Sequence, residues 1–297
     1  HEQEYGEFGL AQSKLWDAGT LCITIAANIA ETAILGYPMC FPDSVVGFSA
    51  FPSESSEKFM HYVFTYIRNS IQNSVTGSIQ DNINIDYLSQ LDFKVPPKSY
   101  QDKVVGVLGT IDEKIDTNTR ICTELETMAK TLYDYWFTQF DFPNAEGKPY
   151  RSSGGEMVWN YQLKRKIPKG WSAGQLSDIA NITMGQSPSG DTYNENGSGT
   201  IFYQGCTDFG TRFPVPRVYT SAPTRFAKAG DILMSVRAPV GTLNIAMEDC
   251  CIGRGLAALN SKFGSQLHLL YTLSGFKQLF DVMDGNGTTV SYTHLRA

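Results

Sequence analysis

Residues 99–137 read SYQDKVVGVLGTIDEKIDTNTRICTELETMAKTLYDYWF. Core positions step by four and three through Val104, Leu108, Ile111, Ile115, Asn118, Cys122, Leu125, Ala129, Leu132 and Trp136. The period is about 3.5 residues, that of a helix meeting another helix along a seam. Leu108, Ile115, Cys122, Ala129 and Trp136 take the a positions. Val104, Ile111, Asn118, Leu125 and Leu132 take the d positions, and Val107, Ile121, Met128 and Tyr135 widen the stripe at g. Ser99 is the expected N-cap, with Asp102 as an acidic partner in the first turn. Pro96-Pro97 closes what precedes, and no proline follows until Pro143. At about 1.5 Å per residue the segment makes a rod of roughly 57 Å. Such a rod cannot bury so wide a stripe inside a small globule, so a partner helix is expected. Asn118 on that seam costs stability and fixes register.

Either side of this helix the chain repeats itself. Ala18-Gly19-Thr20-Leu21-Cys22-Ile23-Thr24 lies over Ala229-Gly230-Asp231-Ile232-Leu233-Met234-Ser235, an offset of 211 residues. At the same offset Ile34 meets Ile245, Cys40 meets Cys251, and Val45-Val46 meets Leu256-Ala257. Each copy reads as strand, turn, strand, strand. A helical pattern follows each: Phe59, Val63, Tyr66, Ile67 and Ile71, then Leu267, Leu270, Leu273, Phe276 and Leu279. Each pattern runs into a glycine turn, at Thr76-Gly77-Ser78 and Asn286-Gly287-Thr288. The expected fold is α+β: two similar mixed α/β domains joined by a long coiled-coil-type helix. The expected boundaries are 1–97 for the first domain, 98–141 for the helix, 142–170 for a linker and 171–290 for the second domain. The linker is rich in Pro, Gly, Ser and charge, and ends in Ile167-Pro168-Lys169-Gly170-Trp171. Two like domains on a rod suggest a ruler that reads two things at a fixed distance.

Composition allows this. The 297 residues are 42% hydrophobic, enough for ordinary cores. The net charge of −6 is uneven. Residues 1–150 hold 10 basic and 20 acidic side chains, net −10; the remaining 14 and 10 give residues 151–297 net +4. Phosphate contact needs a basic face rather than a basic protein, and the acidic half suits a partner with basic surfaces. Six cysteines without a CxxC pair point to a reducing cytoplasm rather than a disulfide framework. There is no run of about 18 apolar residues, so a soluble protein is expected.

Several stretches resemble a known family. Gln101-Asp102-Lys103, Ile111-Asp112-Glu113-Lys114-Ile115, Met128-Ala129-Lys130, Trp136-Phe137 and Phe140-Asp141-Phe142 resemble the central conserved region of type I restriction–modification specificity (S) subunits. Ile167-Pro168-Lys169-Gly170-Trp171 with Leu176, Gly185-Gln186-Ser187-Pro188, and the Ala-Gly-Asp-Ile-Leu run at 229–233 are similar to motifs of their target recognition domains. The resemblance spans residues 1–290. It implies two target recognition domains, each reading half of a split site in double-stranded DNA. It implies two helices packed antiparallel as a spacer, docking two modification (methyltransferase) subunits, with restriction motor–nuclease subunits added for cleavage. Adenine methylation and ATP-dependent cutting then belong to the assembled complex. The first domain lacks its opening motif and the second its closing helix, so the chain is expected to be truncated at both ends. The ending from Val290 to Ala297 resembles a translated sequencing-adapter read-through, and 291–297 is read as a non-native tail.

Catalytic signatures are sparse. The Pro-Pro at 96–97 lacks the Asn and aromatic of an adenine methyltransferase loop. No GxxxxGK[ST] phosphate loop or GxSxG elbow occurs. Pro42-Asp43 with Asp92-Phe93-Lys94 or Glu146-Gly147-Lys148 echoes a nuclease only weakly. His1, His61, His268 and His294 share no ligand spacing. A non-catalytic subunit with no cofactor and no metal is expected. The candidate DNA contacts in the second domain are Gln186, Gln204, Thr207, Arg212, Arg217, Arg225, Lys228, Arg237 and Arg254. Arg can fork onto guanine, whereas Lys mainly meets phosphate. The first-domain candidates are Gln12, Lys14, Asn28, Arg68 and Gln80. The alternative reading is a duplicated-domain scaffold on a coiled coil that binds no DNA.

Overall fold

The computed structural model describes residues 4–26, 28–76 and 85–277. The chain divides into two compact units, His1–Thr123 and Glu124–Ala297. In the first, a short helix α1 (Glu7–Ala11) leads to β1 (Leu21–Thr24), β2 (Thr32–Ile34) and β3 (Val45–Phe48). They form an antiparallel sheet of order β2-β1-β3. Helix α2 (Glu57–Thr76) buries Phe59, Met60, Phe64 and Ile71 against Leu21, Ile23 and Ile29. The stripe Met60, Phe64, Ile67, Ile71 keeps helical four-three-four spacing. Tyr66, expected on that face, is rotated out of it and is 89% exposed. The short helix α3 (Ile85–Ser89) brings Tyr87 and Leu88 onto the same core.

The long helix is present as one piece. α4 (Lys98–Tyr133) has 36 residues and passes into a single π-helical turn at Asp134–Thr138. Its start differs from expectation. The helix opens at Lys98, and the Pro97 carbonyl accepts the Gln101 amide at 3.2 Å, so Ser99 lies inside the first turn rather than capping it. Pro97 needs no N–H there, which suits a helix start. Gln101 anchors the helix to the first unit. Its buried amide donates to the carbonyls of Glu54 (2.9 Å) and Pro96 (2.8 Å) and accepts the Ser55 hydroxyl at 2.9 Å. Further along, the Tyr62 phenol donates to Asp112. Burial, then that carboxylate, pushes the Tyr62 phenol up to about 12.

The second unit opens with structure where only a linker was expected. Residues 157–168 form a hairpin, β4 (Met157–Asn160) against β5 (Arg165–Pro168), turned by Lys164 at φ 50°. Helix α5 (Leu176–Ile179) leads into β6 (Ala180–Met184). Then come β7 (Tyr193–Asn194), β8 (Thr200–Tyr203), β9 (Tyr219–Thr220), β10 (Phe226–Ala227), β11 (Ile232–Ser235), β12 (Leu243–Ile245), β13 (Cys250–Ile252), β14 (Leu256–Ser261) and α6 (Gln266–Gly275). One sheet has order β12-β11-β14-β6 and the other β10-β13-β8-β9-β7. Leu269, Leu270 and Leu273 of α6 bury on the first of these sheets, whereas Leu267 and Phe276 face outward. The adjacent pair Cys250 and Cys251 is buried as free thiols in β13.

The repeat holds at the level of single hydrogen bonds. Leu21 pairs with Ile34 and Phe48; 211 residues on, Ile232 pairs with Ile245 and Leu259. The Gly19 amide bonds the Leu35 carbonyl and the Gly230 amide the Ala246 carbonyl, both at 2.8 Å. Gly19 and Gly230 carry φ of 88° and 86°. The Thr24 hydroxyl accepts the Glu31 amide at 3.0 Å, and the Ser235 hydroxyl the Thr242 amide at 2.9 Å. Even the Trp16–Met39 bridge recurs, as the pairing of Ala227 with Cys250. A left-handed turn also keeps its backbone through a change of residue. Gly241 sits at φ 79°, and its counterpart Ala30 holds the same left-handed backbone at φ 60°. An L side chain there costs about 1–2 kcal/mol. Ala30→Gly should therefore stabilise the first unit by about 0.5–1 kcal/mol after the glycine entropy cost, measured by urea unfolding.

His268 of α6 is half-buried, its ring 4.7 Å from Phe137 and 5.5 Å from Tyr133. Burial holds its pKa below the usual value of 6.5. The folded state thus binds fewer protons than the unfolded chain once pH falls below about 6.5. Its contribution to stability is complete above that value and declines as pH drops towards the lowered folded pKa. Unfolding midpoints between pH 7.5 and 5.5 should fall for the native chain, with a shallower fall for His268→Gln.

Candidate nucleic-acid interface

Five loops of the second unit meet at one place. After β6 the chain turns at Gly185, whose amide bonds the Leu256 carbonyl, and at Gln186, whose amide bonds the Ile252 carbonyl, both at 2.9 Å. A side chain at Gly185 would place Cβ 2.1 Å from the Gly253 carbonyl oxygen, so this approach requires glycine. The turn between β13 and β14 is held from the other side. Gly253 donates to the Tyr203 carbonyl at 2.8 Å, and Gly255 to the Gln204 carbonyl at 3.2 Å. Ile252 donates to the Arg225 carbonyl, and Val236 to the Gly255 carbonyl, each at 2.9 Å. These bonds gather Gln186, Gln204, Arg225, Arg237 and Arg254 around a single turn. All five are exposed.

Side-chain bonds brace the cluster. The Ser187 hydroxyl donates to the Gln204 amide oxygen at 3.1 Å and accepts the Arg254 amide at 3.2 Å. The Thr224 hydroxyl donates to the Gln186 carbonyl. The Gln204 NH₂ has no hydrogen-bond partner among the described residues. Arg225, Arg237 and Arg254 have no side-chain hydrogen bond or ion pair among the described residues, so each guanidinium has all five donors available. Ser187 belongs to the Gly185–Pro188 motif, but neither it nor Thr224 is a candidate contact on sequence grounds; their role depends on contacts 17 and 38 residues away.

The remaining candidates are placed differently. Arg212 is committed within the unit, donating to Glu126 of α4 at 2.9 Å and to the Tyr271 phenol at 3.4 Å. Arg217 pairs with Asp208 at 2.8 Å and Glu195 at 3.7 Å. Lys228 pairs with Asp249 at 2.6 Å, which raises its pKa and lowers that of Asp249. Thr207 is exposed on the helical turn Cys206–Asp208. In the first unit, the Lys14 ammonium lies 3.5 Å from the Trp16 ring, which stacks on Phe41. Gln12 and Asn28 are exposed. Arg68 is held by Glu31 beside a small hollow lined by Ala30 and Thr65. Gln80, His1, His294 and the tail 291–297 lie outside the described residues.

The helix presents a second candidate surface. Leu108, Ile111, Ile115, Asn118, Cys122, Leu125 and Leu132 are exposed, as are Val107, Ile121 and Met128 at g. Ile115 and Leu125 expose 56% and 58% of their surface. Ala129 and the two ends of the stripe are partly covered. Val104 packs into the core of the first unit, and Trp136 is half-buried on the π-helical turn. No helix among the described residues is long and apolar enough to cross a membrane.

Residues 2–127 match the family model described as the type I restriction modification DNA specificity domain. A protein assigned as the type I restriction enzyme MjaX specificity subunit of Methanocaldococcus jannaschii is 32% identical over 235 residues, covering 78% of this chain and 51% of its own length. The type I restriction enzyme MjaIX specificity subunit of the same organism is 24% identical over 298 residues, covering 94% and 65%. The chain thus spans between half and two thirds of the length of these relatives. The crystal structure of a type I restriction–modification system S subunit from M. genitalium shares the fold, with a TM-score of 0.53 at 15% identity, over 95% of this chain and 71% of that one.

Proposed function

Because this chain belongs to the family of type I restriction–modification specificity subunits, we propose that it selects DNA sequence through its two repeated units and performs no chemistry itself. Each unit reads one segment of a split site in double-stranded DNA, and the helix sets the interval between the segments. The exposed face of α4 docks the partner assembly: a second helix, two methyltransferase subunits, and motor–nuclease subunits when restriction is required. The complex works in the cytoplasm. Its methylating and cutting groups lie in those partners.

The observation that carries this reading is the convergence of Arg225, Arg237, Arg254, Gln186 and Gln204 on one turn, with three guanidinium groups unpaired. An unpaired cation can exchange water and counterions for phosphate or a base edge at little internal cost. Arg217 and Lys228 can join it, since exposed ion pairs are worth only about 0–1 kcal/mol. Arg212 is assigned instead to holding the unit on the helix.

Salt dependence tests the reading. With six or more phosphate contacts, affinity for duplex DNA should fall by about 10³-fold or more between 50 and 200 mM salt. A flat response in fluorescence anisotropy would favour a scaffold that binds no DNA.

A further inference from the structure

We propose that one turn, occupied by Asp43 in the first unit and Arg254 in the second, sets which base each unit prefers. The proposal rests on the DNA-reading role argued above and names a position within it. The two residues are 211 apart, the offset at which the strands of the two units pair alike. Their turns are built alike. Val45 donates to the Pro42 carbonyl and Leu256 to the Gly253 carbonyl, each at 3.0 Å. Ile25 donates to the Ser44 carbonyl and Val236 to the Gly255 carbonyl, each at 2.9 Å. Both side chains are exposed, and neither has a hydrogen-bond or ion-pair partner among the described residues. An otherwise duplicated scaffold thus carries two unpaired charges of opposite sign at one place.

The neighbours change less. Lys14 stands at the position of Arg225, with its ammonium over the Trp16 ring. Ala26 stands where Arg237 does. The first unit therefore loses the Arg donors of the second at all three positions. Arg254 offers two parallel donors, which match O6 and N7 of guanine. Asp43 offers only acceptors. A carboxylate is repelled by phosphate, so on a DNA-facing turn it is rewarded only by a base amino group, best by N4 of cytosine. The exchange inverts hydrogen-bond polarity at a fixed point and gives two units of one ancestry different half-sites.

The test uses the complete complex with its methyltransferase subunits. Relative methylation is measured over sites substituted at every base pair. Asp43→Ala should remove the preference at a single base pair of one segment, by about 5- to 150-fold, and leave the other segment unchanged. Asp43→Asn should move that preference towards adenine, and Asp43→Arg towards guanine. Arg254→Ala should relax one base pair of the other segment by a similar factor. The exposed Asp43 side chain has no hydrogen bond or ion pair among the described residues, so these variants should leave the fold intact, as thermal unfolding would check. Unchanged base profiles for all three Asp43 variants would overturn the proposal while Arg254→Ala still relaxed its segment, leaving DNA reading in place. Uniform weakening of every site by Arg254→Ala would mark a phosphate contact and also overturn it. A complex with no base preference at all would remove the functional reading and this proposal together.

Discussion

Inserting four residues after Thr117 lengthens the unread spacer of the DNA site by nearly two base pairs and leaves both read segments unchanged. Residues 113–121 are exposed along the whole of this part of α4, so the insertion disturbs no packed side chain. Four helical residues add about 6 Å and turn the helix by about 40° beyond a full revolution. At roughly 3.4 Å per base pair, 6 Å is close to two steps. The groups proposed to meet base edges belong to the units, not to the rod, so base identity should not follow the change. The same insertion into the partner helix keeps the seam in register. Sequencing the methylated positions decides the outcome. Altered bases at an unaltered interval would mean that the helix does not set the spacing.

The isolated chain self-associates at micromolar concentration, and Ile115→Glu with Leu125→Glu makes it monomeric. Each native side chain leaves more than half its surface in water. Burying a Leu or Ile fully stabilises by about 1.5–3 kcal/mol. With little more than half of each side chain left to bury, the two lost anchors of each copy weaken the association by about 20- to 300-fold, before the added charge is counted. Helix formation itself should survive, because Glu is a good helix former. Light scattering with circular dichroism separates the cases: a lower mass at unchanged helicity is expected. A native chain that stays monomeric at high micromolar concentration would contradict a seam that seeks a partner.

The sequence revealed long-period features more clearly than local ones. The helix was legible because its 3.5-residue repeat runs unbroken from Val104 to Trp136, and the structure keeps it as one element. The duplication was legible because Gly19 and Gly230 mark the same left-handed turn, and the strand pairings then follow at constant offset. The N-cap was misplaced by Ser99, a good capping type that competes with a proline just ahead of it. The hairpin 157–168 was hidden among residues that read as linker, because two short strands carry little alternation. Tyr66 and Leu267 were assigned to buried faces on spacing, yet Phe64 and Leu269 hold those places. Burial there depends on which face the sheet meets, and one helix pattern does not specify that.

The candidate contacts divided for a similar reason. Sequence gave six basic residues between Arg212 and Arg254 equal standing. Only the fold shows that Arg212, Arg217 and Lys228 are met by Glu126, Asp208 and Asp249. It also shows that Arg225, Arg237 and Arg254 converge, through amide bonds to Gly253, Gly255 and Ile252 that no local signal announces.

The most direct measurement is selection of duplexes from a randomised pool by the chain assembled with its methyltransferase subunits, followed by sequencing. Two short read segments separated by an unread interval of constant length are predicted. A pool recovered with no base preference, or with one continuous motif, would contradict the account.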